Sequence, residues 1–229
     1  MAQQANMSTE AFEDFYFKVC TLDYGKMKAA AAPLKSLMEV TDTVHITGPD
    51  TDLTFSTKGI GAVSCTGARN LPDGECYTAP VRESAHGQIR FNVPVNYQGT
   101  VLKDVRLYFE DGRVTKCAGD SKKEIEEILG TDEGARYLGE FAVAFNPYIT
   151  VPMLNTVFDE KVAGSFHLAL GKAYEDADNG NRSAIHLDMV MIQTPEYGGG
   201  QIFFDDILLR EDGVFVMPEC EGLNPENLL

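Results

Sequence analysis

Two apolar runs, residues 165–171 (SFHLALG) and 184–192 (AIHLDMVMI), constrain this chain most, because each sets a histidine inside a stretch that reads as a buried β-strand. Successive side chains of a strand point to opposite faces, so His186 and Asp188 share one face with Ala184 and Val190. Ile185, Leu187 and Met189 then face a core. His167 sits in the same way among Phe166, Leu168, Ala169 and Leu170. Burying an imidazole and a carboxylate costs free energy unless something pairs with them, and a divalent cation satisfies both. Two such strands can present their imidazoles to a common point. An isolated His-x-Asp pattern is usually just a satisfied buried polar pair, so spacing alone favours that reading over a metal site.

The rest of the chain supplies partners for these strands. Ser8 is placed to cap a helix with Glu10 in its first turn, and Phe12, Phe15, Tyr16, Val19, Met27 and Leu34 follow at helical spacings. The pattern predicts one long helix, kinked at Pro33 or followed there by a second short helix, ending near Val40. The aromatic stripe reads as core packing. Short strands are predicted at 44–47, 52–56, 76–78 and 88–91, with Gly, Pro, Asn or Asp between them. Residues 101–116 read as two strands around Asp111-Gly112, and residues 201–216 as a hairpin around Asp212-Gly213. Between them Ser121 opens a short amphipathic helix that ends at Gly130. The fold class is α+β: a long N-terminal helix, then a mainly antiparallel sheet with hairpins and short helices. At 229 residues the chain suits one large domain or two small ones.

Charge and cysteine content narrow the function. Nineteen Lys and Arg against 35 Asp and Glu leave a net charge of -16, without the clustered base that phosphate-backbone binding needs, so no nucleic-acid partner is expected. The same acidity favours metal ions and substrates that carry a free ammonium group. Five scattered cysteines without a Cys-x-x-Cys pair fit a reduced, cytoplasmic setting, and no apolar run is long enough to predict a membrane span.

A hydrolytic centre needs more ligands than two histidines and one aspartate. Glu75 follows a Pro-Asp-Gly turn at the start of a strand, and Glu140 lies within the apolar segment 138–145 (LGEFAVAF). Taken singly, each acid reads first as a salt-bridged or solvated residue.

Five segments together carry a family resemblance: 70–80 (NLPDGECYTAP), 131–140 (TDEGARYLGE), 155–161 (NTVFDEK), 167–171 (HLALG) and 183–188 (SAIHLD). In that order they resemble the M29 family of metalloaminopeptidases, the aminopeptidase T and aminopeptidase S group. The resemblance implies a cytoplasmic exopeptidase, working as a homodimer on peptides with a free N-terminus. It implies two divalent metal ions, zinc, cobalt or manganese, ligated by Glu75, Glu140, His167, His186 and Asp188, with Tyr174 at the family's active-site tyrosine. Tyr174 is then expected to donate a hydrogen bond to the tetrahedral oxyanion. Glu160 and Lys161 border this set, with a structural ion pair as their favoured reading. The resemblance covers the metal-carrying C-terminal part, so residues 1–229 are expected to form one catalytic domain without the family's N-terminal α/β domain. A catalytically silent metal-binding or interaction domain is the alternative.

Overall fold

The computed structural model describes residues 1–229. Its N-terminal region is two helices, α1 (Thr9–Cys20) and α2 (Tyr24–Val40), and not the single helix that periodicity predicts. The break falls at Thr21-Leu22-Asp23. Thr21 closes α1 by bonding Phe17 O through its backbone N–H, and the Asp23 carboxylate accepts from Lys26 N at 2.9 Å, capping α2. Pro33 lies inside α2, whose buried stripe is Met27, Ala31, Leu34 and Met38. Ser8 caps α1 as expected, accepting from Ala11 N at 3.1 Å.

The strands, in chain order, are β1 (Thr43–Gly48), β2 (Thr51–Ser56), β3 (Val63–Cys65), β4 (Glu75–Thr78), β5 (His86–Phe91), β6 (Val95–Tyr97), β7 (Thr100–Leu102), β8 (Val105–Glu110), β9 (Arg113–Ala118) and β10 (Leu138–Ala144). They continue with β11 (Ser165–Gly171), β12 (His186–Ile192), β13 (Gln201–Phe204), β14 (Ile207–Glu211) and β15 (Val214–Phe215). Three short helices complete the set: α3 (Lys122–Leu129), α4 (Thr156–Asp159) and α5 (Pro225–Leu228). Eight strands form one sheet in the order β15-β14-β13-β1-β2-β5-β8-β9, five form a second in the order β12-β11-β10-β4-β3, and β6-β7 is a separate ribbon. Every pairing between these strands is antiparallel.

The α+β class therefore holds, with three local corrections. The 201–216 region is two consecutive hairpins, turning first at Asp205-Asp206 and then at Asp212-Gly213. Ser121 precedes α3, but its hydroxyl accepts from Lys103 N at 2.9 Å and does not cap the helix. The sequence also conceals β3 and β6, each only three residues long, and the strand expected from residue 101 is broken into β7 and β8. At the Asp111-Gly112 turn both residues adopt positive φ (49° and 77°), the twist that a two-residue hairpin needs.

The two sheets and α2 enclose one core. Phe55 of the large sheet meets Phe141 of the small sheet edge-on at 5.2 Å, and Phe166, Leu168, Leu187 and Met189 join the same cluster. One face of the small sheet is thus spent on the core. Its other face carries Glu75 and Tyr77 from β4, Glu140 and Ala142 from β10, His167 and Ala169 from β11, and His186 and Asp188 from β12, as strand alternation requires. Ala142 and Ala169 are the small residues of this face, and Ala142 packs with Cys65, Tyr77 and Ala177. Farther along β12, Val190 and Ile192 are covered by a second cluster in which Phe12 and Phe15 of α1 pack on Phe158.

Candidate metal centre

The 131–140 and 183–188 segments are tied together before they reach the centre. Asp132 accepts from Ser183 Oγ and Ala184 N, each at 2.7 Å, and Asn181 donates to Gly134 O and Gly171 O at 2.9 and 2.7 Å. The entry to β12 is thereby fixed against β10 and β11. Glu140 reaches the polar face through a bulge, because the β10–β11 register shifts between Leu138 and Glu140. Gly139 at the bulge admits no side chain: a Cβ there would lie 2.4 Å from Gly171 O and 2.6 Å from Lys172 O.

Four of the five sequence-predicted ligands converge. His186 Nε2 lies 3.1 Å from Glu140 Oε2 and 3.2 Å from Asp188 Oδ1, and His167 Nε2 lies 3.6 Å from Glu140 Oε1. His186 Nδ1 is 2.8 Å from Lys172 O, so an Nδ1–H donor there leaves Nε2 directed at the two carboxylates. Glu75 stands at the margin: its Oε2 is 3.8 Å from His167 Nδ1, and its Oε1 is held by Lys161. Tyr174 is half exposed, with its ring 4.8 Å from the His186 ring and 5.5 Å from that of Tyr77. A cavity of about 240 Å³ opens here, walled by Glu75, Tyr77, Glu140, Glu160, His167 and Tyr174 together with Cys65, Arg69 and Asn70.

Two residues enlarge the set that the sequence favours. Glu160 shares a cluster with His167 and Asp188, with one potential ligand atom from each within 4.8 Å of the others. Glu140, His186 and Asp188 form a second cluster by the same measure, so Asp188 belongs to both. Lys161 is completely buried, with Nζ 2.7 Å from Glu75 Oε1 and 2.6 Å from Glu160 Oε1. The ion pair expected of Glu160 and Lys161 therefore exists, and it sits inside the site. The polar Asp-Glu-Lys run immediately before the apolar His167 strand was the available signal. Cys65 had none, because its strand is too short to show a period.

Electrostatically the centre is a set of buried acids and bases that compensate one another. Burial raises the Glu75 carboxyl to about 7 despite Lys161, and burial likewise raises Glu160. Burial alone would also raise Glu140, but hydrogen bonds from His167 and His186 bring it down to about 2. Burial opposes charging of the imidazoles, yet their carboxylate partners lift His167 to about 9 and His186 to about 11. Tyr174 is pushed above its usual range by burial and by the surrounding carboxylates. Without a metal ion, protons and Lys161 supply the compensating charge.

The residues fit a divalent cation. Glu75 Oε2 and His167 Nδ1 are buried without a hydrogen-bond partner, although they face each other. Ligand atoms about 2.1 Å from one ion stand roughly 3–3.5 Å apart, close to the separations of 3.1 and 3.2 Å around His186 Nε2. Imidazole and carboxylate together suit zinc, cobalt or manganese better than the all-oxygen shells of calcium or magnesium.

Fold and site define a class: an antiparallel α+β protein with an imidazole–carboxylate cluster on one sheet face. The family model for the thermophilic metalloprotease peptidases (M29) matches residues 1–199, and the chain belongs to that family. It is 32% identical over 200 residues to aminopeptidase T of Thermus aquaticus, covering 76% of this chain and 46% of that protein. Aminopeptidase T of Thermus thermophilus is 33% identical over 175 residues, covering 65% and 42%. The solved structure of wild-type AmpT from Thermus thermophilus superposes with a TM-score of 0.70 at 27% identity, covering 86% of this chain and 57% of that one. The matched segment thus spans less than half the length of these two aminopeptidase T sequences. A 2,5-dihydroxypyridine dioxygenase from Pseudomonas putida KT2440 shares the fold, with a TM-score of 0.69 at 16% identity over 85% of this chain and 61% of that one. One fold hosts different chemistries, so function has to be argued from the site.

Proposed function

We propose that residues 1–229 form a metal-binding catalytic unit that releases N-terminal amino acids from peptides. The supporting observation is the pair of overlapping clusters, Glu140/His186/Asp188 and Glu160/His167/Asp188, joined at Asp188 and accompanied by buried polar atoms that lack partners. We assign Glu140, His167, His186 and Asp188 as ligands of a dinuclear centre, with Glu75 offering its unpaired Oε2. A pair of divalent ions supplies Lewis acidity and an activated water.

The chain's own residues do the remaining work. The Nδ1–H of His186, donated to Lys172 O, keeps Nε2 turned toward the centre. Tyr174 holds its phenolic proton firmly and stands at the cavity mouth, where it donates to the developing oxyanion of the scissile carbonyl. No helix is long and apolar enough to cross a membrane, and all five cysteines are free, which supports a reducing, cytoplasmic setting.

The test is metal-dependent release of N-terminal residues from a broad panel of short peptides and aminoacyl chromogenic substrates. Release that chelation abolishes and zinc, cobalt or manganese restores supports the reading. Bound metal without turnover on any substrate would instead assign a silent metal-binding domain.

A further inference from the structure

Among the nine residues that line the cavity over the small sheet, Arg69 is the one with a permanent positive charge. Lys161, fully buried, is spent on Glu75 and Glu160. The backbone that carries Arg69 is well anchored. The buried Asp73 carboxylate accepts from Gly67 N at 2.7 Å and, more weakly, from Arg69 N and Asn70 N at 3.4 Å. Asp73 N donates to the Tyr24 hydroxyl at 3.1 Å, and Asn146 donates to Asp73 O at 2.6 Å. The Arg69 side chain is uncommitted by comparison. It is half exposed and makes one ion pair, from Nη2 to Asp176, while Nε and Nη1 have no partner in the protein. Asp176 follows Tyr174 by two residues, in the single turn Glu175–Ala177, so the pair bridges two segments that border the cavity mouth.

An exposed ion pair of this kind contributes little to stability, and a guanidinium carries more N–H donors than one carboxylate uses. Arg69 can therefore take a second carboxylate on the edge that Asp176 leaves open. The cavity, about 240 Å³, is smaller than the roughly 300–1,000 Å³ of sites for drug-sized ligands, which suits a short peptide. A dipeptide whose N-terminal residue occupies the histidine–carboxylate cluster brings its second residue against the other walls of the same cavity, and Arg69 is their cationic part. We propose that Arg69 is a specificity residue that binds a carboxylate on the leaving residue of a dipeptide. The C-terminus supplies that group in every dipeptide, and an Asp or Glu side chain can supply it in some. As a statement about substrate this rests on the aminopeptidase function proposed above; the binding preference itself stands without turnover.

The test reads binding first. Reduced isosteres of Ala-Gly, Ala-Gly-amide and Ala-Glu-amide, with a methylene-amine link in place of the scissile amide, are titrated calorimetrically into the zinc-loaded chain. The free acid should bind roughly tenfold or more tighter than its amide, and Arg69→Met should erase that preference. An Ala-Glu-amide isostere bound as tightly as the free acid extends recognition to the side-chain carboxylate, and one bound like the neutral amide confines it to the C-terminus. Asp176→Asn should act oppositely to Arg69→Met and enlarge the preference, because it releases the guanidinium. A latch that merely holds the mouth together would weaken acid and amide alike in both variants, and that outcome would overturn the assignment. So would equal binding of acid and amide by the unmodified chain, binding of neither, or a preference that survives Arg69→Met. Steady-state rates on Ala-Gly and Ala-Gly-amide keep the two proposals apart. Hydrolysis without an acid preference sinks the role of Arg69 and leaves the aminopeptidase function standing, whereas an acid preference in binding without hydrolysis of any peptide does the reverse.

Discussion

Lys161 Nζ lies 2.7 Å from Glu75 Oε1, and both side chains are withdrawn from solvent, at 0% and 5% exposure. The same ammonium lies 2.6 Å from Glu160 Oε1. One buried cation therefore serves two acids on the wall of the cavity, and removing it leaves both uncompensated. Breaking a buried pair from one side costs about 3–5 kcal/mol, so Lys161→Met should lower the stability of the metal-free protein by that order in urea unfolding. A bound dication replaces part of the lost charge, and the deficit should shrink when zinc is present. An identical deficit with and without zinc would show that Lys161 does not act through the charge of the site.

Proton and metal compete for the same imidazole nitrogens. In the metal-free protein His167 and His186 have folded-state values of about 9 and 11, above the unfolded value near 6.5. Their contribution to stability is therefore complete below about pH 6.5 and is lost as pH rises through 9 and then 11. A metal ion has to displace these protons, so affinity rises with pH and binding near neutrality releases about two protons per chain. Calorimetric titrations in buffers of different ionisation enthalpy measure that number directly. Heats independent of buffer would remove both histidines from the ligand set.

Gly139 contacts no candidate ligand through a side chain, yet it sets the position of Glu140 next to it. A methyl group there would meet Gly171 O and Lys172 O, and Lys172 O is the acceptor that orients His186. Overpacking at such a site costs about 1–3 kcal/mol, so Gly139→Ala should lose stability of that order and weaken zinc binding as well. Preserved zinc affinity in a destabilised variant would show that the bulge is structural only.

The parts of this site visible in the sequence are those governed by one short period. His186 and Asp188 share a face because strand alternation demands it, and Asp-Gly at residues 111–112 announces its hairpin through the positive φ of both positions. The helix break at Thr21 was masked because Met27 and Leu34 continue a helical spacing across it, while the Asp23 cap shows only in the hydrogen bond it makes. Cys65 belongs to a three-residue strand that shows no period. Glu160 follows a four-residue helix, outside any repeat, and it reaches His167 and Asp188 only through tertiary packing. The bulge that carries Glu140 is a register event between strands, which no single segment encodes.

Tyr174 and His186 have rings 4.8 Å apart and separate binding from catalysis. His186 Nε2 contacts both Glu140 and Asp188, so His186→Ala removes an atom that the cation shares with two carboxylates, and metal content should fall by at least half. The Tyr174 phenol makes no hydrogen bond to any of the candidate ligands, and its ring packs against Tyr77 and His186. Tyr174→Phe keeps the ring against Tyr77 and His186 and removes only the donor. Loss of one oxyanion donor costs about 10²–10³ in kcat; turnover should fall by that order while metal content and KM stay near those of the unmodified chain. His45 and His86 lie on the large sheet, away from the centre, and their alanine variants should match the unmodified chain in both measurements. Elemental analysis beside steady-state kinetics on one peptide decides the matter, and equal metal loss in Tyr174→Phe and His186→Ala would make Tyr174 a ligand and refute its assignment as an oxyanion donor.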